Sequence, residues 1–255
     1  MARQEPDGLR LDGVGVRFGG LRAVEGVSVH VPPGQRRAII GPNGAGKTTL
    51  FNAITGTVRA TAGRVLLDGV DITRRSIHAR AHLGLGRTFQ ITNLFPSLTV
   101  AESMRLAIRG LSPARFSLFG QDRLTQIEHV RAEEALGLAQ LAGRPGRLVR
   151  ELSYGEQRQL ELAMALAGRP RILLLDEPAA GLSPYERGIV ATIIRGLPSS
   201  LTLVLIEHDI DLVLSLVDWV TVLDGGRLLV EADPGSIRGD KRVQEVYLGQ
   251  PRTHA

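Results

Sequence analysis

The sequence predicts an α/β protein whose strand-and-helix core is interrupted by a helical insert. Three observations carry this. RILLLDEP (171–178) and LTLVLIEHD (201–209) are continuous apolar runs ending in acidic residues, as strands buried in a parallel sheet do. QRRAII (35–40) runs straight into a glycine loop, followed by a helical pattern over 46–56. Strands and helices alternate along most of the chain, whereas the stretch near 91–150 reads as helical.

In chain order, residues 9–18 and 24–31 alternate as two antiparallel strands of a hairpin. After the strand, glycine loop and helix of 35–56, RVLLDGVDI carries Asp68-Gly69 between apolar runs, a hairpin signal. GRTFQ (86–90) ends a further strand. Helices are expected over 99–110 and 124–141, separated by GLSPARFSLFGQ. LSYGEQRQLELAMALAG (152–168) places Leu160, Ala163, Met164 and Ala167 at helical spacing. VTVLDGGRLLVEAD closes the pattern as a second hairpin around Asp224-Gly225-Gly226.

Composition narrows the function classes. At 255 residues the chain can bury one full core, alone or with a subdomain. No apolar run approaches the roughly 20 residues of a membrane span. The N-terminal MARQEPDGLRLDG has no apolar signal core, which reads as a cytosolic protein. The absence of cysteine excludes disulfides and thiolate metal sites. The net charge of +5 is spread along mixed-sign runs, and only 4 % of residues are aromatic, so stacking platforms for nucleic-acid bases are few. Of the 31 Lys and Arg residues only Lys47 and Lys241 are lysines. In a chain that otherwise uses Arg, a lysine at 47 points to a chemical requirement.

That lysine lies in GPNGAGKT (41–48), a G-x-x-x-x-G-K-[ST] loop between an expected strand and helix. Its glycines let backbone N–H groups wrap phosphates, and the helix start adds positive potential. Lys47 is expected to reach the β- and γ-phosphates, and the Thr48 hydroxyl to ligate Mg²⁺. LLLDEP supplies the complementary carboxylates: Asp176 for the metal and Glu177 to orient or deprotonate the attacking water. His208, at the end of the next apolar run, is expected to contact the γ-phosphate. Gln90 ends a strand from which its amide can hold metal and water. Together these imply nucleoside triphosphate hydrolysis.

A second helix start, Ser153-Tyr154-Gly155, then needs explaining. In the order GPNGAGKT, Gln90, LSYGE, LLLDEP, GLSP and His208, the chain resembles the ATPase subunit of ATP-binding-cassette (ABC) proteins over nearly its whole length. The resemblance implies a P-loop fold of ABC type: a mixed core sheet, an N-terminal antiparallel β subdomain and an inserted α-helical subdomain. It implies one nucleotide-binding domain over 1–255, with core 1–90 and 155–255 and helical subdomain about 91–154. It also implies head-to-tail pairing of two subunits, each ATP lying between one phosphate loop and the other subunit's LSYGE. The implied ATP contacts are Phe18, Gly41, Pro42, Asn43, Gly44, Ala45, Gly46, Lys47, Thr48, Thr49, Ser153, Gly155 and Glu156. Catalysis falls to Glu177, His208 and Gln90, and Mg²⁺ to Thr48, Gln90 and Asp176.

The physics of Ser153 allows two roles: hydrogen-bonding a phosphate beside a helix dipole, and an N-cap forming a capping box with Glu156. Phe18, 23 residues before Gly41, is either the adenine-stacking aromatic or a core strand residue. GLSP carries Ser183 where the family usually has Asp, which bears on the coupling of the two sites.

GLGRTFQITNLFPSLTVAESM, the insert GLSPARFSLFGQDR and the ending EADPGSIRGDKRVQEVYLG resemble the longer ATPase subunit of bacterial importers of branched-chain amino acids or related polar solutes (amides, urea). Ser103 replaces the Asn usual there. This implies integral membrane permeases as partners, a solute-binding protein acting indirectly, no nucleic acid, and a peripheral place on the inner face of the cell membrane. Phe95, Leu98 and Val100 are expected either to contact a cytoplasmic helix of the permease or to pack a subdomain core. The alternatives are a soluble ABC ATPase acting on DNA or ribosomes, disfavoured by a single cassette without long heptad runs, and a lipid-exporter ATPase.

Overall fold

The computed structural model describes residues 7–88, 94–111 and 121–248, of which residues 121–125 and 248 are described in backbone only. They form two compact units, one from the chain up to Leu83 together with everything from Ser199, the other from Gly84 to Pro198.

The first unit opens with β1 (Leu9–Phe18) and β2 (Leu21–Val31), which pair antiparallel as expected. Next come β3 (Arg36–Ile40), α1 (Lys47–Thr55), β4 (Ala62–Leu67), β5 (Val70–Asp71) and α2 (Ile77–His82). The second unit holds β6 (Leu85–Arg87), α3 (Val100–Gly110), α4 (Gln121–Leu138), α5 (Tyr154–Ala167), β7 (Ile172–Asp176) and α6 (Pro184–Gly196). The chain then returns to the first unit with β8 (Thr202–Ile206), α7 (Ile210–Leu214), β9 (Trp219–Asp224), β10 (Arg227–Ala232), α8 (Pro234–Gly239) and α9 (Lys241–Leu248).

In the first unit, β2-β1-β4-β5 form an antiparallel sheet, and β10-β9-β3-β8 follow in order in a mixed one. The parallel pairs β3–β8 and β3–β9 are the buried strands: Ala38, Ile39, Ile40 and Leu203–Ile206 are all at most 1 % exposed. Each strand stops where its apolar run meets a turn-former. β8 ends at Ile206, three residues short of the expected run, because Asp209 turns to N-cap α7 by accepting the Leu212 N–H at 3.0 Å. In the second unit, β6 pairs parallel to β7, with Arg87 opposite Leu174.

Two buried cations fix the frame around the glycine loop. Arg80 donates to the carbonyls of Ala53, Ile54, Thr73 and Arg75 at 2.5–3.0 Å, satisfying orphan acceptors at the C-terminus of α1. Arg37, in β3, pairs with Glu231 and donates to Thr221 at 3.0 Å.

The helical stretch differs from expectation in two places. α4 runs from Gln121 and stops at Leu138 rather than 141. Gln140 turns left-handed (φ +56°), and the Leu141 N–H folds back to the Leu136 carbonyl at 2.8 Å, as a helix C-cap does. Val100 is fully buried, so it packs the subdomain and cannot contact a partner. It is held there because its N–H donates to the Arg147 carbonyl, alongside a bridge between Thr99 and Leu148. Phe95, by contrast, is 60 % exposed and Leu98 half-buried. Ser103 lies buried inside α3, bonded to the Thr99 carbonyl at 3.0 Å.

Candidate active site

The phosphate loop leaves β3 at Ile40 and enters α1 at Lys47. Gly41 (φ +151°) passes so close to the Leu223 carbonyl that a Cβ would stand 2.2 Å from it; Gly46 (φ +94°) presses likewise on the Ala23 carbonyl. Both glycines are therefore required by close backbone packing as well as by dihedral angle. α1 has no side-chain cap and no acidic residue in its first turn, which leaves its N–H groups and positive pole to an anion. The Lys47 ammonium is buried and donates to the Gly41 and Pro42 carbonyls at 2.7 and 2.9 Å. It is thus held inside the curve of the loop, where phosphate oxygens are expected.

Asn43, Gly44 and Thr48 are exposed, and Pro42 and Ala45 buried, so the loop's rim rather than its base meets solvent. Thr49 is half-buried. His208 lies two residues beyond Ile206, which is paired with Ile39 of β3. It and the phosphate loop therefore issue from the same carboxyl edge of adjacent parallel strands, where open α/β sheets bind ligands. His208 is exposed. Phe18 is 51 % exposed at the end of β1, which removes the core-residue alternative.

In the second unit, Asp176 ends β7 with its side chain fully buried, paired to Arg87 Nη2 of β6 at 2.8 Å. Glu177 follows, 9 % exposed and in the left-handed region (φ +49°). A non-glycine residue there is strained by about 1–3 kcal/mol, a cost that clusters where a side chain must be aimed. The oxygen donors Thr48 and Asp176 have the hard-ligand chemistry that Mg²⁺ selects. Gln90 lies outside the described residues.

Ser153 caps α5: its Oγ accepts the Glu156 N–H at 3.2 Å, while Glu156 Oε2 accepts the Ser153 N–H at 2.8 Å. The capping box is real, and it ties Glu156 to the helix start, where Arg144 also pairs with it. The helix start nevertheless faces a cavity of about 500 Å³ whose walls include Arg144, Ser153, Gly155, Glu156, Ser183 and Glu186. The tyrosine between them is fixed from two sides. Its hydroxyl accepts from Arg158 at 2.8 Å, and its ring lies against Gly181. α5 is thereby bound to the loop that follows Glu177.

Three contributors escape a sequence reading: Arg87, Glu186 and Tyr247. The Tyr247 phenol of α9 lies beside the Gly41 backbone, and burial pushes its pKa up to about 12, so it stays a neutral phenol. Only the EVYLG ending, already noted as family-like, hinted at it.

Comparison with known proteins places this geometry. The ABC transporter family model matches residues 24–180. The chain is 40 % identical over 252 residues to the high-affinity branched-chain amino acid transport ATP-binding protein BraF of Pseudomonas aeruginosa, covering 95 % of this chain and 98 % of that one. It is 37 % identical to LivG of Escherichia coli, described in the same words, with the same coverage. Among solved structures, a nucleotide-free cassette of an ABC transporter superposes with TM-score 0.83 at 31 % identity, covering 96 % of this chain and all of that one. A bacterial ABC transporter cassette solved as a dimer superposes with TM-score 0.75 at 25 % identity, over 89 % and 98 % of the two chains. With its phosphate loop, LSYGE helix and Asp-Glu strand end in the family's order, this chain belongs to the ABC transporter family as one of its ATP-hydrolysing cassettes.

Proposed function

We propose that the chain powers an importer of branched-chain amino acids or related polar solutes, working as one nucleotide-binding domain with a helical subdomain at about 91–154. Two such cassettes, identical or paralogous, pair head to tail. Each ATP is held by the phosphate loop and Phe18 of one and by Ser153 and Gly155 of the other. The observation that carries this reading is the presence of two anion-receptive helix starts in one chain, α1 without a cap and α5 opening on a cavity.

In this reading Lys47 and the loop N–H groups orient the β- and γ-phosphates, and His208 contacts the γ-phosphate from the adjacent strand. Glu177, its backbone fixed in a strained turn, takes a proton from the attacking water as the water oxygen bonds to the γ-phosphorus and the bond to ADP breaks. Thr48, Asp176 and Gln90 are the residues to hold Mg²⁺, which when bound offsets charge on the β- and γ-phosphates. Closure around ATP and reopening after hydrolysis then drive the membrane partners between two facings. Among the described residues no helix is long and apolar enough to cross a membrane, which fits a peripheral subunit on the inner face of the membrane; exposed Phe95 and half-buried Leu98 are the apolar contacts offered to a permease helix.

The test is reconstitution in vesicles with the permeases and solute-binding protein of a branched-chain amino acid importer. ATP-dependent uptake of leucine, isoleucine or valine, or of a small amide, supports the reading. Uptake confined to unrelated solutes, or extraction of lipid instead, overturns it.

A further inference from the structure

Two hydrogen bonds and one close approach converge on the carboxylate of Glu186, in the first turn of α6. Its Oε2 accepts the Ser183 hydroxyl at 2.7 Å and the Ser183 backbone N–H at 3.0 Å. Its other oxygen lies against Gly155 of α5, on the wall of the same cavity: a Cβ built on Gly155 would stand 2.5 Å from Glu186 Oε1. One acidic side chain therefore touches the starts of two helices. The bonds from Ser183 hold its carboxyl below the ordinary glutamate range, so it is charged at neutral pH.

A capping box for α6 explains the bonds to Ser183 but not the approach to Gly155. That approach matters because Gly155 is the residue assigned above to the partner's nucleotide, and the inference rests on that assignment. A carboxylate seated against Gly155, in the cavity that α5 opens on, stands where a terminal phosphate must come, and the two anions repel. The geometry points to Glu186 as a charge gate on this half of the nucleotide site: its carboxylate covers Gly155 and the positive end of α5 until the partner's terminal phosphate displaces it.

Ser183 sets how firmly the gate is held. Its hydroxyl donates to Glu186, whereas the Asp usual in the family is, when ionised, an acceptor only and cannot. The substitution of charge by a donor therefore retains the Glu186 carboxylate more tightly here.

The experiment measures the ATP concentration that gives half-maximal dimer. It compares the hydrolysis-blocked variant Glu177→Gln with Glu177→Gln carrying Glu186→Gln. Glutamine keeps the shape and the accepting oxygen but removes the charge. The expected result is a fall of about tenfold in the ATP required, from relief of one anion–anion contact at each site. ATP affinity of the dilute single subunit stays unchanged, because the phosphate loop belongs to the other unit. Glu177→Gln with Ser183→Ala, which loses only the donor hydroxyl, should shift the same way by less. An unchanged or raised ATP requirement in the Glu186 variant, or a raised one with Ser183→Ala, overturns the gate. If Glu177→Gln alone forms no ATP-dependent dimer, the shared-site reading fails instead.

Discussion

Arg87→Met isolates the contact on which the Asp176 side of the site stands. The pair joins neighbouring parallel strands β6 and β7, with Arg87 11 % and Asp176 0 % exposed. At that depth the relevant magnitude is not the ~0–1 kcal/mol of a surface pair but the cost of breaking a buried ion pair by removing one partner, about 3–5 kcal/mol. Set against the ~5–15 kcal/mol that typically separates folded from unfolded domains, this removes a large part of the stability. Methionine preserves most of the side-chain length, so little of the loss comes from a cavity. The assay is urea unfolding of wild type, Arg87→Met, Asp176→Asn and the double variant, analysed as a cycle. The account predicts that Asp176→Asn rescues most of the damage done by Arg87→Met, because the buried carboxylate that lost its Arg87 contact is then neutral. A loss below ~1 kcal/mol in Arg87→Met, or purely additive single effects, refutes the reasoning.

Other outcomes follow from the same geometry. Glu177→Gln should retain ATP binding and lose turnover by at least about a hundredfold, in line with removal of a general base; unchanged steady-state hydrolysis would remove Glu177 from that role. Ser153→Arg should bind ATP normally as a single subunit yet abolish assembled activity; loss of binding by the single subunit speaks against a site divided between chains. Phe18→Ala should weaken ATP and GTP alike by about tenfold, within the ~1–3 kcal/mol of one base-stacking contact. Its half-exposed position predicts an unchanged melting temperature, and equal nucleotide affinity in the variant would contradict the stacking role. The capping carboxylates Glu102 and Glu186 titrate below the ordinary glutamate value, chiefly through hydrogen bonds from Thr99 and Ser183. Their stabilising contribution is therefore present above that value and lost as pH falls through it and then through the folded values. Urea midpoints should drop on acidification below about pH 4.5, and a midpoint that rises there refutes the assignment.

Much of this was legible in the sequence because it is local. The phosphate loop, the Asp68-Gly69 and Asp224-Gly225-Gly226 hairpins and the apolar strands announce themselves through neighbouring residues, and the structure forms each of them. The Ser153–Glu156 box is likewise a spacing of three. What stayed hidden depends on pairs far apart in the chain. Arg87 meets Asp176 across 89 positions, and nothing near either residue signals the other. Tyr247 reaches Gly41 from the far end of the sequence. Val100 could be read as a partner contact or as subdomain core, and the segment at 147–149 decides for core, because a helix start can be covered by backbone that no periodicity announces. Gly155 illustrates both halves: its place in a helix start was readable, its contact with Glu186 was not.

The central claim is that each nucleotide lies between two chains, and the most direct measurement is the structure of the Glu177→Gln protein in its ATP-loaded dimer. The account predicts Ser153 Oγ and the Gly155 N–H within hydrogen-bonding distance of the terminal phosphate bound by the opposite subunit's Lys47. A closed, ATP-loaded dimer with residues 153–155 turned to solvent would contradict it.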